Sequence, residues 1–314
     1  MKDKKQNKRI NGGHRLLFFC ILCLFGLYVA VSYAEEQPQR EQSKTKVILL
    51  HTDNLTYDQY RHPGAQILTG NVQFQHDGVL MYCDSACFYE ATNSFDAFGH
   101  VKMVQGDTLD LVGDMLLYNG LDQLARVRHN VVLTHRESKL YTDSLDYDRL
   151  YELGYFFEGG KLVDKDNVLT SDWGQYSPPT RQAVFNYNVK LENPKFTLIS
   201  DTLNYNTLTS MAEIVGPSNI DSGDNHIYSE SGFYNTQTEE AILLDRSIVT
   251  NKGRKMVGDS LYYDSKSGVG EGFRNVVYTD EVNKNMLTGN YCYYNDSTGY
   301  SMATDSAVAI DYSQ

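Results

Sequence analysis

One short phrase returns through the chain at a nearly fixed interval, and it restricts the fold more than any other feature. "TDSLDYDR" (142–149), "SDTLNYNT" (200–207) and "GDSLYYDS" (258–265) are evenly spaced. The lead position of the phrase is Asp53, Asp84, Asp114, Asp143, Asp172, Asp201, Glu230, Asp259 and Asn290. The successive steps are 31, 30, 29, 29, 29, 29, 29 and 31. Four residues after each lead stands an aromatic: Tyr57, Phe88, Tyr118, Tyr147, Tyr176, Tyr205, Tyr234, Tyr263 and Tyr294. Two residues after it stands Leu55, Ala86, Leu116, Leu145, Gly174, Leu203, Gly232, Leu261 or Cys292. A repeat of this length marks a stacked architecture whose units cannot bury a core alone.

Positions 0, +2 and +4 share one face of a β-strand, whereas a helix would scatter them. Leu and Tyr are therefore expected to point inward together, with the lead residue at the start of the strand. Asp58, Asn119, Asp148, Ser177, Asn206, Asn235, Asp264 and Asn295 follow the aromatics and are expected to mark turns, because such side chains bond the nearby backbone. The second half of each unit reads "GNVQF", "GHVKM", "HNVVL", "YNVKL" or "RNVVY", a turn leading into a β-branched run. Nine units then predict about eighteen strands of roughly 6–9 residues. Two facing sheets with a shared apolar seam would run about 40 Å at one strand spacing per unit. The fold class is all-β, an elongated jelly roll or β-solenoid.

Residues 1–34 stand apart from this pattern: a basic "MKDKKQNKR", then the apolar "LLFFCILCLFGLYVA", then "SYA". This is the pattern of a signal peptide cut after Ala34. The alternative is an uncleaved anchor, for which the apolar run is short of the ~20 residues of a span. Neither Cys20 nor Cys23 is preceded by the small residue that lipidation needs. Residues 35–46 read as a polar linker and 47–314 as the repeat domain, with a possible sub-division at Pro178–Pro179. The whole chain carries −12, and without residues 1–34 the charge is −17. Such a chain lacks the basic face that nucleic acid requires.

Little chemistry is visible. There is no His-x-x-x-His, nucleophile elbow or convincing acid pair, so the chain is expected to be non-enzymatic, with no cofactor and no metal. The acidic column invites comparison with a calcium ladder. One acid per unit falls short of six oxygen ligands, which favours a turn role. Cys83 and Cys87 share a strand face but would lie about 13 Å apart, too far for a disulfide. They and Cys292 are expected to be small buried hydrophobes. The Tyr column fits either a plain core or the wall of a site for an apolar ligand.

The two-part unit resembles the OstA-like family, whose members include LptA, LptC and the periplasmic part of LptD. The stretches that carry the resemblance are "DNLTYDQY…LTGNVQF", "DMLLYNG…VRHNVVL", "DSLDYDRL", "DTLNYN" and "DSLYYDS…FRNVVYTD", across residues 47–314. The resemblance implies an elongated, open-ended β-jelly roll in the periplasm. It also implies lipopolysaccharide or a related glycolipid as cargo, and head-to-tail edge-strand pairing with other OstA-like proteins. The lipid-binding groove would be lined by Leu55, Tyr57, Phe88, Leu116, Tyr118, Leu145, Tyr147, Tyr176, Val189, Leu203, Tyr205, Tyr234, Leu261, Tyr263 and Val276. Exposing an acyl chain of a dozen carbons to water costs on the order of 10 kcal/mol, so such a cargo needs a shield. The alternative is an envelope scaffold with a dry core and no lipid. An outer-membrane barrel is disfavoured because strands such as "DSLDYDRLYELG" lack a clean apolar face.

Overall fold

The computed structural model describes residues 45–312. The leader and the cleavage point after Ala34 lie outside the described residues, as does most of the polar linker. The described residues all fall in one compact unit. Among the described residues the only helical element is a short 3₁₀ turn, Glu90–Thr92, beside twenty-four strands. Every pairing is antiparallel and joins near neighbours in sequence.

The strands are eighteen full-width segments, as nine two-strand repeats require. Twelve run unbroken, among them Gln66–His76, Val79–Tyr89 and Phe196–Asn206. Six are split near the middle, such as Asn167–Ser171 followed by Trp173–Ser177. The segments exceed the expected length because each one bends and contributes to both sheets. Each repeat thus advances the stack by two strand spacings, and the described stack spans roughly 80 Å, not 40 Å.

The bend overturns the expected place of the lead residue. Asp84 lies in the middle of Val79–Tyr89, not at its start. On the neighbouring strand two residues, Gly70 and Asn71, oppose it in the gap between the Thr69–Ser85 and Val72–Cys83 pairs. This two-against-one count is a β-bulge, which bends the strand and shifts its alternation. Cys83 therefore points inward while Cys87 points outward, which corrects the expectation that they share a face. Cys83, Cys87 and Cys292 are all free thiols, and burial pushes Cys83 up to about 12.

The bends stack into a corner that runs along the roll. Consecutive residues there adopt left-handed backbone: Gly70–Asn71, Gly99–His100, His129–Asn130, Tyr187–Asn188 and Arg274–Asn275. Glycine and asparagine tolerate that region best. The lead carboxylates hold these corners. Asn71, Asn130, Asn188 and Asn275 donate through Nδ2 to Asp53, Asp114, Asp172 and Asp259 at 2.7–2.9 Å, and His100 pairs with Asp84 at 2.7 Å. The acidic column is a ladder of corner clamps. Among the described residues no group of three or more His, Cys, Asp or Glu is placed to hold a metal. Asn275→Ala is expected to cost about 1–2 kcal/mol, through the lost bond and the left-handed backbone at φ 50°. Asn275→Gly should cost less, and urea unfolding of both variants compares them.

At the other strand ends the expected Asx turns form. Asn119, Asp148, Asn206, Asn235, Asp264 and Asn295 each accept a backbone N–H two or three residues on. Rung-to-rung backbone bonds then staple the hairpins: Arg149 N to Gln123 O, Thr207 N to Arg181 O, Thr236 N to Ser210 O, and Ser265 N to Glu239 O. Pro178 occupies the equivalent donor position in its repeat and has no N–H to give. Pro178 and Pro179 sit in the hairpin between Trp173–Ser177 and Gln182–Asn193, whose ladder is intact.

Candidate functional site

The interior is one continuous apolar cluster from Val47 to Tyr294. It forms because the inward columns of the two sheets meet: Phe74 of one sheet stacks on Phe95 of the other at 4.1 Å between centroids. Thirteen of the fifteen expected lining residues lie in this cluster, each at most 6% exposed. They are Phe88, Leu116, Tyr118, Leu145, Tyr147, Tyr176, Val189, Leu203, Tyr205, Tyr234, Leu261, Tyr263 and Val276. The columns are filled by complementary sizes. Where the +2 slot is Gly174, the Phe156 ring fills the space, and a Cβ on Gly174 would meet it at 2.4 Å.

Leu55 and Tyr57 depart from the expected burial, at 52% and 60% exposed. Their strand pairs with Gln66–His76 alone, and Leu55 stands in register with the buried Leu68. They occupy the inner face of the first rung, where no further strand covers them among the described residues. The opposite edge is Tyr300–Thr304 and Val308–Asp311, which among the described residues pair only with Asn285–Asn295. Tyr300, Val308 and Ile310 are exposed there. The two edges do not pair with each other, so the sheet is open and not a barrel.

The tyrosine column has a second role that the repeat did not announce. Five of its hydroxyls bond groups on the long side opposite the corner. Tyr118 OH bonds His76 Nδ1 at 2.7 Å and receives a bond from the buried Arg149. Tyr176 OH bonds His135 Nδ1 at 2.8 Å. Tyr205 OH donates to Asp164 Oδ2 at 2.8 Å and accepts from Asn167 at 2.9 Å. Tyr263 OH donates to Asn225 at 2.8 Å, and Tyr294 OH to Asp296 at 2.6 Å. Burial raises the phenol pKa of each of these tyrosines, so they stay neutral donors.

Side chains on the facing hairpins complete this seam. Gln123 donates to Asp77 at 3.0 Å, Gln105 to Glu152 at 2.7 Å, Lys165 to Ser210 at 2.9 Å and Lys195 to Glu239 at 2.6 Å. The sequence hid the seam because most partners lie more than one repeat apart and differ in type from rung to rung. The buried histidines His76 and His135 offered the one visible signal.

Burial is the main cause that lowers the pKa of His76 and His135 below 6.5. The unfolded chain therefore binds protons first as the pH drops below 6.5. Stability is fully present above that value and is lost on acidification. Unfolding free energy should fall as the pH is lowered from 6.5 towards 5. A flat profile in urea titrations across that window would contradict the assignment.

A family model described as "OstA-like protein" matches residues 44–201 and 197–259. No curated protein matches the chain. Among solved structures it is similar to LptH from Pseudomonas aeruginosa, titled the LptA homologous periplasmic component of the conserved lipopolysaccharide transport device. That similarity is 16% identity over 34% of this chain and 82% of that chain, with a TM-score of 0.32. The nine-fold repeat, the bent-strand roll and the family match over most of the chain agree: the chain belongs to the OstA-like family.

Proposed function

We propose that the chain is a periplasmic carrier in lipopolysaccharide transport, holding acyl chains between its two sheets. OstA-like proteins are non-catalytic transport proteins, and the carrier reading asks no reaction of this chain. Family membership supports a transport-related role in the periplasm, and the leader before Ala34 is consistent with export. The observation that carries the finer reading is the unbroken apolar cluster along the whole stack. An acyl chain would meet apolar side chains in every rung from Val47 to Tyr294.

The packed interior sets a condition on the reading. Acyl chains fit only if the sheets part along a long side. The seam is the side that can open, because its bonds run through side chains, whereas the corner is continuous backbone. The same packing favours a second reading, an envelope scaffold with no cargo. In the carrier reading the two uncovered edges pair head to tail with other OstA-like proteins, which relieves the hazard of exposed strand edges.

Native mass spectrometry with lipid extraction decides between the readings. The chain is purified without detergent from a Gram-negative periplasm. Near-stoichiometric lipopolysaccharide or lipid A is the expected result. Lipid-free protein that stays lipid-free after incubation with lipid A would leave the scaffold.

A further inference from the structure

The seam closes by a rule, and one rung breaks it. Gln123, Glu152, Ser210 and Glu239 recur in register, and each bonds an earlier hairpin of the facing sheet. Arg181 fills that slot in the intervening repeat, and its counterpart on the facing hairpin is Arg136. A cation faces a cation where every other pair joins a donor to an acceptor.

A cavity of about 340 Å³ lies between them, lined also by Lys165, His135, Asp164 and Glu137. Among the described residues neither guanidinium has a hydrogen-bond or ion-pair partner. The buried Asp164 makes no ion pair with them: its oxygens accept from Ser138 at 2.7 Å and Tyr205 at 2.8 Å, so the lining sets three cations against two carboxylates. Glu137 is exposed and is the other carboxylate of the lining. After burial, the two arginines are what push His135 toward its neutral form, a sign that the cavity is electropositive. This is unusual ground on a chain whose net charge is −12.

We propose that Arg136, Arg181 and Lys165 form a binding site for a phosphate-type oxyanion, which closes this rung of the seam as a counter-ion. Two guanidinium forks on opposite walls suit a tetrahedral anion with several acceptor oxygens, and Lys165 adds a point charge. The same chemistry comes from free phosphate or from the phosphate of a glycolipid headgroup. In its lipid form the site rests on the carrier reading; in its inorganic form it does not.

The test is isothermal titration of the full chain with inorganic phosphate at constant ionic strength, with melting curves alongside. Arg181→Glu is the informative variant, because it installs the acceptor found at Glu152 and Glu239 and should fold at least as well. Phosphate is expected to bind and stabilise the wild type, and Arg181→Glu should weaken binding at least tenfold. Displacement of phosphate by lipid A, but not by its dephosphorylated form, assigns the site to a headgroup. Phosphate binding that lipid A leaves untouched assigns it to the free ion. No phosphate response in the wild type, or an equal one in Arg181→Glu, overturns the site. Lipid that still copurifies in that case leaves the carrier reading standing.

Discussion

Leu203→Asp is expected to unfold the middle of the stack. Leu203 is fully buried, in register with Phe185 on one side and Ile214 on the other. Deleting a buried leucine costs about 2–5 kcal/mol, and a carboxyl placed there must stay protonated or pull water into the core. The total, about 5 kcal/mol or more, rivals the whole stability of an ordinary domain. Each rung is coupled only to its neighbours. The variant should therefore lose its single urea transition, with hydrogen exchange fastest around residues 196–215. Leu203→Ala should unfold in one step at lower urea. A penalty for Leu203→Asp within about 1 kcal/mol of wild type would show that the carboxylate reaches water. The interior would then be an open, hydrated groove and not a packed core.

Much of this architecture was legible because the repeat keeps phase. The Leu and Tyr slots read as inward, and thirteen of the fifteen chosen residues are in the core. Asn119 and its equivalents read as turns and form them. The bend was not legible, since a run of positions 0, +2 and +4 looks the same whether a strand begins or bends at the lead. The clue lay on the other strand, in the "GN", "GH", "HN" and "RN" pairs that take left-handed backbone opposite the lead residues Asp84, Asp114, Asp143 and Asn290. From the lead residues alone, Asp84 looked like the start of a strand; the two-against-one pairing puts it at a bend, and its bond to His100 on the next strand makes it a corner clamp. The Arg136–Arg181 mismatch was also invisible, because it is an exception to a rule that exists only once the two sheets face each other.

The same column should behave in the opposite way at the end of the stack. Leu55 and Leu203 hold the same place in the repeat, yet one is 52% exposed and the other fully buried. The difference is that no described strand covers Leu55, not a different residue. Leu55→Asp combined with Tyr57→Asp should change stability by no more than about 0.5 kcal/mol per site, as surface substitutions do. Their effect should fall on association instead. If the first rung docks on another OstA-like edge, its inner-face side chains continue the partner's apolar columns. Two carboxylates would be buried there without counter-charges. Sedimentation velocity of the wild type should show concentration-dependent end-to-end species, and the double variant should need at least tenfold more protein to form them. Cysteine crosslinks between Thr56 and the strand Tyr300–Thr304 of a second copy should vanish in parallel. Unchanged association would mean that this edge does not dock and that Leu55 and Tyr57 face only solvent. A wild type that never associates, with itself or with another OstA-like protein, would remove the head-to-tail arrangement and leave the carrier to work as a single roll.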